Sequence, residues 1–121
     1  MSRTEVSDNS IIVDAIEAGP LGASTLGNGT KTVTTLGTSV QLSSSSVPCK
    51  RVWIQSYESN GLLTNGGLIV IGGSGVVAAA ATRNGYALYP TQGAWFEVSD
   101  LNLLWIDSVD NSAKISYHYE L

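Results

Sequence analysis

The last eight residues, Lys114-Ile115-Ser116-Tyr117-His118-Tyr119-Glu120-Leu121, alternate polar and apolar without interruption. A period of two belongs to a strand with one dry and one wet face. Ile115, Tyr117, Tyr119 and Leu121 are assigned to the dry face, and Lys114, Ser116, His118 and Glu120 to the wet one. A chain end frays unless a sheet holds it. This strip is therefore expected to be paired inside a β-structure.

The preceding residues repeat that theme at short intervals. Strand-like runs fall at 31–36, 38–42, 50–57, 68–71, 86–89, 94–98 and 101–106. In 50–57, Val52 and Ile54 share one face and Trp53 and Tyr57 the other. Asn60-Gly61, Asn65-Gly66-Gly67, Gly72-Gly73-Ser74-Gly75, Asn84-Gly85 and Gln92-Gly93 punctuate the runs. Such pairs favour tight turns because both residues tolerate positive φ. The alanine-rich stretch 76–81 favours helix by propensity, but it is too short for a stable one. It is expected as strand or irregular chain against another backbone. Residues 107–111 are expected as a turn. Short strands with this punctuation indicate an all-β fold: an antiparallel β-sandwich, jelly-roll-like, or a barrel.

Residues 1–30 differ. One apolar segment carries Ile11, Ile12, Val13 and Ile16, and Gly19-Pro20, Gly22, Gly27 and Gly29 follow it. Gly and Pro at this density interrupt regular structure. The expected organisation is an extended N-terminal arm, 1–30, and a β-sandwich domain, 31–121; the alternative for 1–30 is a short edge strand plus a loop on the same domain. The four apolar residues would anchor the arm on a partner.

A chain of 121 residues with 43% apolar content can bury one real core. Its charged residues are only 13%, about half the usual share. Six bases against ten acids give a net charge of −4. Phosphate binding needs clustered Lys and Arg, so nucleic acid is not an expected partner. The polar N-terminus does not read as a signal peptide. No apolar run reaches the ~20 residues of a membrane helix, so a membrane is not expected either. Cys49 is the only cysteine, which rules out an intrachain disulfide. It is expected as a buried or half-buried thiol.

Catalytic candidates are sparse. His118 is the only imidazole and lacks the companions of a metal site. Glu97 and Asp100, and Asp107 and Asp110, are three apart, a spacing that turn chemistry explains. The glycines at 72–75 are not followed by the lysine of a phosphate loop. Ser43 to Ser46 lie outside any Gly-x-Ser-x-Gly. No enzyme, metal or cofactor is expected. The aromatics are the better candidates. At least two of Trp53, Trp95 and Trp105 are expected in the core. Tyr86 and Tyr89 flank a Pro/Gly-rich loop and are candidate exposed contacts.

One stretch carries a resemblance. Over 38–121 the chain reads Thr-Ser-Val-Gln-Leu, Arg-Val-Trp-Ile-Gln-Ser, Leu-Ile-Val-Ile-Gly-Gly-Ser-Gly-Val-Val and Tyr-Ala-Leu-Tyr-Pro-Thr-Gln-Gly-Ala, then Phe-Glu-Val-Ser-Asp-Leu, Leu-Trp-Ile-Asp-Ser and the final strand. This resembles small β-sandwich virion structural proteins of tailed bacteriophages. Those carry an Ile-Gln-Asn/Ser step, an Ile-x-Ile-Gly strand, a Leu-x-Pro-Gly turn and a Leu-x-x-Ile strand. The turn here departs from theirs, with Thr91 and Gln92 between Pro90 and Gly93. The resemblance implies a virion component made in the host cytoplasm, such as a capsid decoration (cement) protein or a head-fibre or tail accessory protein. Its implied partners are the major capsid protein or another virion protein, and copies of itself as a homotrimer. The rival expectation is a carbohydrate-binding, receptor-binding module using Tyr86, Tyr89 and Trp95.

Overall fold

The computed structural model describes residues 25–121. Eight strands follow one another: β1 (Leu26–Val33), β2 (Val40–Gln41), β3 (Arg51–Ser56), β4 (Ile69–Gly72), β5 (Tyr86–Leu88), β6 (Gly93–Phe96), β7 (Trp105–Ser108) and β8 (Ala113–Glu120). Short 3-10 turns occupy Glu58–Leu62 and Leu101–Leu103.

Two four-stranded sheets form, ordered β1-β8-β3-β6 and β2-β7-β4-β5. The pairs β1·β8, β2·β7, β3·β6 and β4·β5 are all antiparallel. The chain is thus one long hairpin, its midpoint in the loop between β4 and β5, wrapped so that alternate segments fall in opposite sheets. That is the jelly-roll arrangement. It decides between the sandwich and the barrel that the sequence left open.

Alternation places the core. Val52 and Ile54 of β3 are fully buried between the sheets, while Gln55 faces water. They meet Ile69, Ile71, Leu88, Ile106 and Ile115 in one cluster. A second cluster, Leu68, Val70, Val76 and Ala78, lies on the other side of the β2-β7-β4-β5 sheet. The loop after β4 folds back to cover it. Strand β4 is consequently dry on both faces, which explains why its sequence does not alternate. Residues 76–81 are irregular chain over that sheet, as expected, apart from a bridge between Val77 and Asn84.

The arm boundary needs correcting. Leu26 to Thr30, read as arm, belong to β1 and pair with β8 from Glu120 to Ser116. Gly27 and Gly29 are not turn residues. They sit opposite Tyr119 and Tyr117, and a Cβ on Gly27 would meet the Tyr119 ring while one on Gly29 would stand 2.5 Å from the Tyr117 hydroxyl. The two rings, stacked at 6.1 Å between centroids, fill the space that the glycines leave. A glycine across from an aromatic is a known means of stabilising a sheet edge.

Two further expectations change. Residues 101–106 were expected as one strand, but Asp100 caps a 3-10 turn there and β7 begins only at Trp105. Asn60 was expected to make a tight turn with Gly61, yet it is buried. Its Nδ2 donates to Ser56 Oγ and Lys114 O, and its Oδ1 accepts from Lys114 N, all within 2.9 Å. The side-chain amide thus continues the β8 ladder where β3 has ended.

Candidate functional site

The outer face of the β1-β8-β3-β6 sheet carries the strongest concentration of aromatic and charged groups. Trp53 lies opposite Trp95 on β6 and opposite His118 on β8. The two indoles meet edge to face at 5.5 Å, and Trp95 meets the His118 ring at 5.4 Å, nearly perpendicular. Arg51, two residues before Trp53, lays its guanidinium 4.0 Å over the Trp95 ring. Its Nη2 also donates to Glu120 Oε2 at 3.0 Å. That bond from Arg51 holds the Glu120 carboxyl below its usual range, and the same partner raises Arg51. Edge-to-face rings and a guanidinium over an indole attract one another beyond the area they bury.

The tryptophan expectation is corrected by this arrangement. Trp53 is half-buried and Trp95 is 40% exposed, both on the outer side. Only Trp105 packs against a buried cluster. The period-two phase of β3 forces the result: with Val52 and Ile54 inside, Trp53 must face out.

Tyr86 and Tyr89 are 55% and 57% exposed. They do not share one site. Tyr86 stands edge-on to Phe96 at 5.7 Å, whereas Tyr89 lines a cavity with Leu36, Asn65 and Arg83. The arm anchors Ile11, Ile12, Val13 and Ile16 lie outside the described residues.

The acids are engaged in holding loops. Asp107 is buried in β7 and not in a turn; its Oδ2 accepts from Ala78 N at 2.9 Å and its Oδ1 from Ser108 N. Buried Asp110 accepts from Asn65 N and Gly67 N. Asp100 accepts from Ser46 Oγ, Asn102 N and Val47 N, and these bonds hold its carboxyl below the usual range. Asp107 and Asp110 therefore bond distant backbone, in addition to the local bond from Ser108 N to Asp107, where local turn bonding alone had been expected. His118 is exposed beside Trp95. Among the described residues no three His, Cys, Asp or Glu side chains are grouped so as to hold a metal. Cys49 is half-buried, as expected, and its thiol faces Val98 O at 3.2 Å. Burial, and then the Asp100 charge, push that thiol up, away from the reactive thiolate. No described helix is long and apolar enough to cross a membrane.

Sequence reasoning missed two features. The Arg51-Trp95 stack was partly legible, because Arg51 and Trp53 share a strand face. The Arg83 cavity left no signal, since it is built from loops far apart in the chain.

No family model and no curated protein matches the chain. Among solved structures it is similar to a chain described under "Bacillus endospore appendages form a novel family of disulfide-linked pili", with 14% identity, a TM-score of 0.38, and coverage of 80% of this chain and 88% of that one.

Proposed function

We propose that this chain is a non-enzymatic virion structural protein, a capsid decoration protein that stabilises a phage shell through protein contacts. The observation that carries the reading is the outer sheet face: Arg51, Trp53, Trp95 and His118 form a mutually stacked, partly exposed patch there. Trp, Tyr and Arg dominate the energy of protein interfaces. The jelly roll serves in capsids and lectins alike, so the fold is compatible with the role without selecting it. The engagement of Asp100, Asp107 and Asp110 by loop backbone supports a surface role over catalysis. The segment preceding β1, with its anchors Ile11, Ile12, Val13 and Ile16, would reach across the shell, and a homotrimer would multiply weak contacts.

The test uses phage particles banded from the source culture and probed with antibody to this chain. Antigen in the particle band supports the reading, and particles free of it refute it. Deleting residues 1–20 should keep the fold and lose the particle; unchanged attachment removes the arm from the account.

A second reading, saccharide binding, is favoured by the exposure of Tyr89 at the mouth of a cavity. A glycan array with no bound member would eliminate it.

A further inference from the structure

At one end of the sandwich the loops following β1, β3, β4, β5 and β7 surround an open cavity of about 520 Å³. This lies in the size range of small-ligand sites. Its walls combine Arg83, Tyr89, Leu36, Asn65 and the backbone around Gly37.

Arg83 is held in place from behind. Its Nε donates to Ala78 O at 2.9 Å, and Ala78 N donates to the buried Asp107 carboxylate at 2.9 Å. The covalent frame and the Asp107 anchor thus fix the stem of the guanidinium. With Nε occupied, the two terminal nitrogens remain for a partner. Among the described residues no carboxylate forms an ion pair with them. A planar fork held this way matches a carboxylate in two-point contact.

The other walls point to a ring with polar edges. Tyr89 is 57% and Leu36 46% exposed. The Tyr89 backbone is pinned by Gln92 Oε1 and the Leu36 backbone by Asn111 Oδ1. Asn65 gives its Nδ2 to Val109 O, which leaves Oδ1 as an acceptor for a hydroxyl. An aromatic platform, an aliphatic wall, an amide acceptor and a guanidinium suit a pyranose that has an apolar C–H face, hydroxyl edges and one carboxylate.

We propose that this cavity binds a carboxylate-bearing saccharide, with Arg83 taking the carboxylate and Tyr89 the ring face. The proposal rests on the saccharide reading and is independent of shell attachment. The nearby acids, Asp107 and Asp110, have both carboxylate oxygens engaged by backbone N–H groups. Their charge still opposes an anion, so dissociation constants on the order of millimolar are expected.

The test is an amide NMR titration of the full chain with glucuronate, N-acetylneuraminate, glucose and acetate. Saturating shifts at Gly37, Asn65 and Ala80 with at least one acidic sugar, and tenfold weaker binding of glucose and acetate, are expected. Arg83→Gln should remove the preference for the acid, Arg83→Lys should restore part of it, and Tyr89→Ala should weaken acidic sugar without unfolding the spectrum. Silence with both acidic sugars overturns the proposal. So do equal affinities for glucose and its acid, equal shifts with acetate, or an unaffected Arg83→Gln variant. Neutral glycans bound on an array with no acid preference would leave the saccharide reading standing and remove only the Arg83 site.

Discussion

Thr91 and Ser112 are the two described non-glycine residues at positive φ, 73° and 65°. Thr91 follows Pro90 in a turn closed by Gln92 N to Tyr89 O at 3.0 Å, a position where glycine or asparagine is usual. A β-branched residue there is strained by about 1 kcal/mol or more. It persists because Thr91 N donates to Ser56 O and Thr91 O accepts from Gln55 Nε2. Thr91→Gly should raise stability by about 0.5–1 kcal/mol, after allowing for glycine's larger unfolded entropy, as read by urea denaturation. A loss of stability would show that the threonine side chain makes a compensating contact. Asp100 supplies a second expectation at this scale. Its native pKa is lowered by three hydrogen bonds, so the native state binds fewer protons than the unfolded chain at low pH. The resulting stability is present above the ordinary carboxylate pKa near 4 and is lost as pH falls through the lowered native value. Asp100→Asn should therefore flatten the acid side of a melting-temperature profile between about pH 5 and 2. An unchanged slope would contradict the assignment.

At the scale of elements, the loop between β4 and β5 has little regular structure, yet Val76 and Ala78 within it are buried. One fastening is the Asp107 carboxylate on Ala78 N. Asp107→Ala would leave buried donors without partners, a loss of about 3 kcal/mol. Hydrogen exchange should quicken at residues 76–84 before it quickens in β3 or β8. Uniform quickening would mean that the loop is held by its apolar contacts alone. The strands themselves were readable because β3 and β8 each have one dry face, which imprints a period of two. β4 was readable as an apolar run, but not the reason for it, because the covering loop that follows it is irregular and carries no period to show that it folds back over the sheet. Leu26 to Thr30 were misassigned for a related reason. Their glycines resemble a linker until the tyrosines that fill their side-chain space are known, and those lie about ninety residues later.

At the scale of the molecule, the fold class was legible and the strand order was not. Alternation says which way a residue faces, and says nothing about which strand lies beside it. The candidate face suffered the same limit. Trp53 could be placed outward from its own strand, but its meeting with Trp95 and His118 depends on β6 and β8 flanking β3. The Arg83 cavity needs five loops to converge, and no local pattern encodes that.

The pairing of β8 between β1 and β3 has a consequence for biosynthesis. The last of the eight strands in chain order occupies an interior position, so half of the sandwich cannot close until β8 has followed the other seven off the ribosome. Until then β1 and β3 have no common neighbour, and their edges are open to strangers. The emerging polypeptide is thus most vulnerable to aggregation in the interval between the emergence of β3 and that of β8, and its safety depends on how quickly that strand clears the exit tunnel.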